Sequence, residues 1–190
     1  MKPIRIVILS GSPGTGKTTI ARILAENSAY EKAVHIEVDD FWQFIRKGYI
    51  VPWLDDSVNQ NDTVMDAVAA SAQIYSESGY EVFVAGTIGP WFVELWLEMA
   101  QKGIDVRYII LRPSEDATIL RATERVQREI FPLNAEIVKD VRSSFTALGI
   151  YESNVVDTTS QTVEESVAFI QNLLDNGYFR IVPASEERVD

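Results

Sequence analysis

Cysteine is absent from the 190 residues of this chain, and His35 is the only histidine. These absences exclude thiolate zinc sites, iron–sulfur clusters, a cysteine nucleophile and the usual metal sites built from two histidines. The sequence also lacks any apolar run near the roughly 18 residues that a membrane span requires. Arg5 interrupts the short apolar stretch at the N-terminus, where a signal peptide needs an unbroken one. We therefore expect a cytoplasmic protein without membrane association.

Basic residues are scarce, since 17 Lys and Arg stand against 28 Asp and Glu, for a formal net charge of −11. Duplex DNA and anionic membranes are bound through clustered Lys and Arg, so nucleic acid is not the expected partner. No internal repeat or low-complexity linker divides the chain. The sequence therefore predicts one domain over residues 1–183, followed by a charged tail at 184–190.

Short β-rich segments alternate with longer segments of helical period, which is typical of a parallel sheet with crossover helices. Capping-box patterns predict helix starts at Thr63, with Asp66 three residues on, and at Thr162, with Glu165. The predicted strands are Ile4–Leu9, Val34–Val38, Glu81–Ala85, Val106–Leu111 and Asn154–Val156. The expected fold is a doubly wound α/β sheet of five parallel strands with helices on both faces.

A glycine-rich segment follows the first predicted strand and matches the phosphate-loop pattern G-x-x-x-x-G-K-[ST] in full. Its glycines allow backbone N–H groups to surround a phosphate, and the next helix adds its positive N-terminal end. Lys17 would contact the β- and γ-phosphates, and the Thr18 hydroxyl would bind Mg²⁺. A purely structural turn is the alternative, but such a turn does not require Lys and Thr in this order. The predicted loop is Gly11, Ser12, Pro13, Gly14, Thr15, Gly16, Lys17 and Thr18, followed by Thr19.

This sequence lacks the residues that are typical of two other classes of phosphate-loop protein, and neither class is therefore favoured. Switch GTPases read guanine with an Asn-Lys-x-Asp run, which is absent here. Motor ATPases carry an acidic residue at the end of an adjacent strand that helps to bind Mg²⁺ and polarise water. The third predicted strand instead runs through Ala85 into Gly86 and Thr87 without an acid.

Asp39 and Asp40 follow the second predicted strand, at the sheet edge where open α/β folds bind ligands. With the phosphate loop and an arginine-bearing segment, this pair resembles the P-loop small-molecule kinases, which include chloramphenicol phosphotransferase, gluconate and shikimate kinases and zeta-toxin-like phosphotransferases. The resemblance implies that Asp39 accepts the acceptor's hydroxyl proton and helps to position Mg²⁺. Asp40 could share Mg²⁺, bind the acceptor or merely cap the next helix. His35 is expected to be packed or to face the surface rather than to be catalytic.

Arginines concentrate in a segment near residues 121–134. Arg121, Arg125 and Arg128 are spaced by four and three, so they share one face of a helix. The resemblance implies a lid in which Arg125 and Arg128 contact the ATP phosphates and stabilise the transition state, while Arg121 lies along the adenine. The alternative is a solvated surface on which neighbouring glutamates neutralise these charges.

The predicted acceptor side combines the second aspartate with aromatic and small residues near the same sheet edge. Three tryptophans fall at loop or element-edge positions and favour a neutral or amphipathic acceptor, although tryptophans more often pack the core. Asp157–Ser160 could form a platform beside adenine or cap the last helix. The candidate acceptor residues are Asp40, Trp42, Trp53, Gly86, Thr87 and Trp91.

These features together predict an ATP- and Mg²⁺-dependent kinase that phosphorylates a hydroxyl of a small molecule. Two alternatives remain from the sequence. One is a regulatory module that binds nucleotide without transferring phosphate. The other is a polynucleotide 5′-kinase, which the scarcity of basic residues in the acceptor segment disfavours.

Overall fold

A computed structural model describes residues 4–125 and 135–182 of the chain. Within these residues, five parallel strands form one sheet in the order β2-β3-β1-β4-β5. The predicted α/β fold is confirmed. The strands are β1 (Arg5–Ser10), β2 (Ala33–Glu37), β3 (Glu81–Ala85), β4 (Asp105–Leu111) and β5 (Val155–Val156).

Helices connect consecutive strands and cover both faces of the sheet. None of the described helices is both long and apolar enough to cross a membrane. The described α-helices are α1 (Lys17–Glu26), α2 (Val38–Gln43), α3 (Val58–Glu77), α4 (Glu94–Gln101), α5 (Glu115–Arg125), α6 (Ala135–Ser143) and α7 (Val163–Asp175).

The central strand β1 is buried along its whole length, and its side chains alternate between two hydrophobic cores. Ile6 and Ile8 enter the core beneath α3 and α4, which includes Trp96. Val7 and Leu9 enter the opposite core beneath α1 and α7. This burial on both faces explains why the strand sequences are almost continuously apolar.

The two predicted capping boxes had different outcomes. Thr162 caps α7 as predicted, because its hydroxyl accepts a hydrogen bond from the Glu165 amide while the Glu165 carboxylate accepts one from the Thr162 amide. The start predicted at Thr63 was wrong, since α3 begins at Val58 and the Thr63 hydroxyl donates to the Asn59 carbonyl inside the helix. A Ser or Thr in a helix interior can form the same kind of backbone hydrogen bond, so the pattern alone did not mark the start.

Candidate active site

The loop at residues 11–16 is wedged between the end of β4 and helix α5. A Cβ atom on Gly11 would lie 2.5 Å from the Leu111 carbonyl oxygen, and one on Gly14 would lie 2.4 Å from the Thr118 carbonyl oxygen. Gly14 also has a φ of +84°, a conformation that L side chains disfavour. Close contact between backbones therefore demands glycine at both positions.

Lys17, the first residue of α1, bends back over this loop. Its side chain is buried, and Nζ donates to the Ser12 carbonyl oxygen at 3.4 Å. The Thr15 hydroxyl donates to the same carbonyl at 3.0 Å. Gly16 is the N-cap residue of α1, and it supplies no side-chain hydrogen bond to the amides at the start of the helix. A buried ammonium beside a helix N-terminus is an arrangement that stabilises a bound phosphate.

Glu37 ends β2 next to this ammonium. Both of its carboxyl oxygens are inaccessible to solvent, and neither accepts a hydrogen bond of normal geometry from a described residue. His35 Nε2 lies 3.7 Å from Glu37 Oε2, but burial lowers the pKa of His35 and so favours the neutral imidazole. The carboxyl group of Glu37 is thus buried without a full set of partners, which is unusual outside functional sites.

The charges around Glu37 come from the phosphate loop and from α2. Burial raises the pKa of Glu37 to about 7, and the charge of Asp39 contributes to the rise. The Lys17 ammonium and the Thr18 hydroxyl lower this pKa and offset part of the effect. The two loop residues predicted to bind phosphate and Mg²⁺ therefore lie close to a carboxyl group that the sequence analysis did not select.

Asp39 and Asp40 lie in the first turn of α2 and are exposed. Glu37 is the N-cap residue of α2, and no side chain caps the helix, so the alternative that Asp40 is a capping residue was wrong. The N-terminal end of a helix stabilises negative charge, which keeps a carboxylate favourable there. Both aspartates are therefore exposed at the carboxyl edge of the sheet, next to the buried Glu37.

The segment after β3 is hydrogen-bonded to the phosphate loop. The Thr87 hydroxyl donates to the Gly11 carbonyl oxygen at 3.3 Å. The Ser10 hydroxyl donates to the Ile88 carbonyl at 2.6 Å and accepts a hydrogen bond from the Ile88 amide at 3.1 Å. A Cβ atom on Gly86 would lie 2.5 Å from Val38 Cγ2, so this segment also packs against the start of α2.

Helix α5 brings the first predicted arginines to the other side of the loop. Arg121 Nη2 donates to the Thr158 carbonyl oxygen at 3.2 Å, in the segment that follows β5. Gly14 packs against Thr118 and Ala122 of the same helix. Arg125 is the last described residue of α5. Arg128 lies outside the described residues.

The oxygen atoms near Thr18 form a ligand set that suits a magnesium ion bound together with a nucleotide. Mg²⁺ takes oxygen ligands and is usually held by one or two protein groups together with phosphates and waters. The Thr18 hydroxyl and the orphaned Glu37 oxygens supply such a set. Among residues 4–125 and 135–182, no group of three or more His, Cys, Asp and Glu forms a metal site by itself. A magnesium–nucleotide complex does not require such a group.

Comparisons with known proteins point to the same class of site. A family model described as novel STAND NTPase 3 matches residues 2–78. A cytidylate kinase from Archaeoglobus fulgidus is 25% identical over 130 residues, which cover 65% of this chain and 70% of the relative.

Solved structures match nearly the whole chain. An unliganded sugar kinase from a Janibacter species gives a TM-score of 0.66 at 20% identity and covers 92% of this chain and 96% of its own. A gluconokinase from Sinorhizobium meliloti gives a TM-score of 0.61 at 22% identity, with coverage of 93% and 97%. The chain has the P-loop kinase fold. The resemblance derived from the phosphate loop and the aspartate pair is confirmed at this level.

In this P-loop kinase fold, the predicted nucleotide residues converge on one edge of the sheet. The loop, Lys17 and Thr18 meet there, with Gly86 and Thr87 beside them. Arg121 reaches the neighbouring Thr158, the middle of the predicted adenine platform. Asp157 in that platform accepts hydrogen bonds from the Thr159 amide and hydroxyl, and these lower its pKa.

The aromatic part of the predicted acceptor site is not assembled as expected. Trp42 lies at the end of α2, one residue before Gln43, but it is buried in the core and its indole N–H donates to Asn61 Oδ1 at 3.1 Å. Trp53 is 41% exposed in the loop before α3. Trp91 is 55% exposed and packs over Gly89 and against the ring of Phe145. Only two of the three selected tryptophans are thus partly open to solvent.

Two polar side chains near the start of α3 hydrogen-bond to the loop that precedes this helix in the P-loop kinase fold. Gln60 binds both the amide and the carbonyl of Ile50, at 2.8 and 2.6 Å. Asn61 donates to the Pro52 carbonyl at 2.7 Å. Both side chains belong to α3 and hold the preceding loop in place. The side-chain amides of Gln60 and Asn61 are therefore already engaged in hydrogen bonds within the protein.

Glu37 is the residue of the candidate site that sequence reasoning missed. The predicted strand ran to Val38, so Glu37 was treated as a strand residue and only the adjacent aspartate pair was selected. The structure ends β2 at Glu37 and places it at the sheet edge. The available signal was an acidic residue two positions before Asp39, at the end of the strand that follows the phosphate loop.

Proposed function

We propose that this protein is an ATP- and Mg²⁺-dependent kinase that transfers the γ-phosphate to a hydroxyl group of a small molecule. The observation that carries the proposal is the meeting of Lys17, Thr18 and the buried carboxyl of Glu37 at the carboxyl edge of the sheet. The shared fold with a sugar kinase and a gluconokinase supports phosphate transfer as the reaction class.

The nucleotide would lie along the loop between β1 and α1. The loop amides and the Lys17 ammonium would hold the β- and γ-phosphates, and Arg121 would lie beside the adenine. Thr18 and Glu37, with Asp39 nearby, would hold Mg²⁺. When bound, the ion would neutralise charge on the phosphate oxygens. Its charge would also favour the ionised form of Glu37, which burial alone disfavours.

Asp39 is the proposed base because it is exposed beside the phosphate site and lies in the first turn of α2. The acceptor oxygen would form a bond to the γ-phosphorus while the bond to the bridging oxygen breaks and ADP leaves. The hydroxyl proton would pass to the Asp39 carboxylate. Arg125 and Arg128 would neutralise charge that spreads over the transferred oxygens. Asp40, Thr87 and Trp91 would border the acceptor.

Two substitutions separate the proposed roles, with Asp66→Asn at an exposed position of α3 as the matched control. Asp39→Asn should abolish acceptor-dependent ADP formation while leaving the Kd for ATP within about twofold. Glu37→Gln should raise the Mg²⁺ concentration required for half-maximal activity, because it removes one oxygen ligand charge. ADP formation by these variants would be measured across a panel of alcohols, sugars and nucleosides. Full turnover by Asp39→Asn would contradict its assignment as the base.

A second candidate function is a nucleotide-binding regulatory module that transfers no phosphate. The match of the STAND NTPase family model over residues 2–78 and the absence of an acid at the end of β3 favour it. Tight ATP binding by the intact protein, with no acceptor-dependent turnover across the same panel, would support this module. Saturable turnover with one acceptor class would support the kinase.

A further inference from the structure

A pocket of about 420 Å³ lies between α2, the loop that follows it and α3. This α2–α3 pocket is lined on one side by Phe41, Phe44 and Ile45, and on the other by Val64 and Ala67. Its volume falls within the range of small-molecule sites, which is roughly 300–1,000 Å³. The pocket is therefore large enough for a ring system or a short branched chain.

The polar groups of the α2–α3 pocket are engaged within the protein. The Gln60 amide is bonded to the backbone of Ile50, and the Thr63 hydroxyl donates to the Asn59 carbonyl. No Lys, Arg, Asp or Glu is among the lining residues. A charged group entering the pocket would lose its hydration without gaining a charged partner. The chemistry of the lining thus selects an uncharged apolar group.

The same helix connects this pocket to the candidate catalytic carboxylates. Phe41 lies four residues after Glu37, and Phe44 lies four residues after Asp40, so each pair shares a helical row. Phe41 also lies one residue after Asp40 and two after Asp39, which at 1.5 Å per residue is about 3 Å along the helix from the proposed base. The loop also returns toward the acids: burial raises the pKa of Tyr49, next to the lining residue Gly48, and the charge of Asp39 adds to the rise.

Phe44 is a lining residue of the pocket whose aromatic side chain is largely exposed to solvent. Its side chain is 66% exposed, and its ring lies 5.4 Å from that of Phe41 with a tilted geometry. An apolar ligand that covers these rings would remove aromatic surface from water, at a gain of about 25 cal/mol per Å². Solitary exposed aromatic residues are common, but this one borders a formed pocket beside a catalytic edge.

We infer that the α2–α3 pocket binds an uncharged apolar group carried by the acceptor, whose hydroxyl then lies near Asp39. This inference rests on the proposed kinase function and adds the substrate class: an amphipathic alcohol with a compact apolar body. The polar end would face the carboxylates, and the apolar end would be held by shape between the two helices.

Binding of the neutral fluorophore N-phenyl-1-naphthylamine tests the pocket without relying on activity. Ala67→Trp should fill the pocket from an exposed position of α3 and weaken probe binding at least tenfold. The matched control is Ala70→Trp, which makes the same change at an exposed α3 residue that does not line the pocket. It should leave the Kd within about twofold. Phe44→Ala should weaken binding by roughly fivefold without disturbing the core.

Displacement then connects the pocket to the reaction. An acceptor that supports ADP formation should displace the probe, and its KM should rise at least tenfold in Ala67→Trp while the Kd for ATP stays constant. Probe binding with the expected pattern but no turnover would support an apolar ligand site and contradict the kinase function. Lack of saturable probe binding, equal losses in the two tryptophan variants, or an acceptor that does not displace the probe would overturn the inference.

Discussion

Replacing Gly14 with alanine tests whether close backbone packing, and not only phosphate binding, demands glycine in the loop. The added Cβ would lie 2.4 Å from the Thr118 carbonyl oxygen and 2.9 Å from the Ala122 amide nitrogen. Ordinary van der Waals contact begins at 3.4 Å, so α5 would need to shift by about 1.0 Å, the difference between 3.4 and 2.4 Å. Overpacking of this kind costs about 1–3 kcal/mol.

Gly79 provides a matched control, because its φ of +85° is almost identical to the +84° of Gly14 and no atom lies within 4 Å of its added Cβ. Gly79→Ala should therefore show only the cost of the left-handed conformation, about 1 kcal/mol. Gly14→Ala should lose about 2–4 kcal/mol in the free energy of unfolding, because both costs apply.

Urea unfolding of both variants would provide the comparison, with ATP binding measured by calorimetry at 25 °C. We expect Gly14→Ala to weaken ATP binding at least tenfold, since a displaced α5 would move both the loop and Arg121 from their positions. The Gly79 variant should bind ATP normally. Equal stability losses in the two variants, or normal ATP binding by Gly14→Ala, would refute the packing argument.

Two other substitutions test the surroundings of the site. Tyr108→Phe removes a buried hydroxyl that donates to the Ile88 carbonyl at 2.6 Å, and should cost about 1 kcal/mol in urea unfolding. It should also raise the KM for the acceptor without changing the Kd for ATP; an unchanged KM would contradict a positioning role for this hydroxyl. Folding raises the pKa of Glu37 from 4.5 to about 7. Between pH 4.5 and about pH 7, the folded state therefore binds more protons than the unfolded state, and the free energy of unfolding falls as the pH rises through this range. Glu37→Gln should therefore stabilise the nucleotide-free protein at pH 8 by up to about 3 kcal/mol, with little difference near pH 4.5; equal urea midpoints at pH 8 would contradict this.

Much of the fold follows from local signals in the sequence. The predicted β3 has the observed bounds, Glu81–Ala85, and the other four strands differ by one residue at one or both ends. Burial on both faces imposes apolar runs that are visible without a structure. The start of α3 could not be predicted as well, because it depends on how the preceding loop is held by Gln60 and Asn61, which are tertiary contacts.

The nucleotide half of the site was more predictable than the acceptor half for a physical reason. A phosphate is bound largely by backbone groups, so its site requires glycines and a lysine at fixed spacing along one segment. The acceptor side is assembled from separate segments, and residue type alone does not place its members. Trp42, selected for the acceptor, is buried in the core, whereas Phe44 is exposed beside an open pocket.

The raised pKa of the buried Glu37 would have an explanation in the chemistry of the proposed magnesium–nucleotide complex. Without ligand, Lys17 offsets only part of the cost of ionising Glu37, and this carboxyl is left with a raised pKa. The bound complex would add phosphate charge beside Lys17 and cationic charge beside Glu37. Each group would then have a partner of opposite sign that the folded chain alone does not supply. In the proposed complex, the stability that an ionised Glu37 costs the free protein would therefore be recovered on binding, and the site would favour the complex over free phosphate.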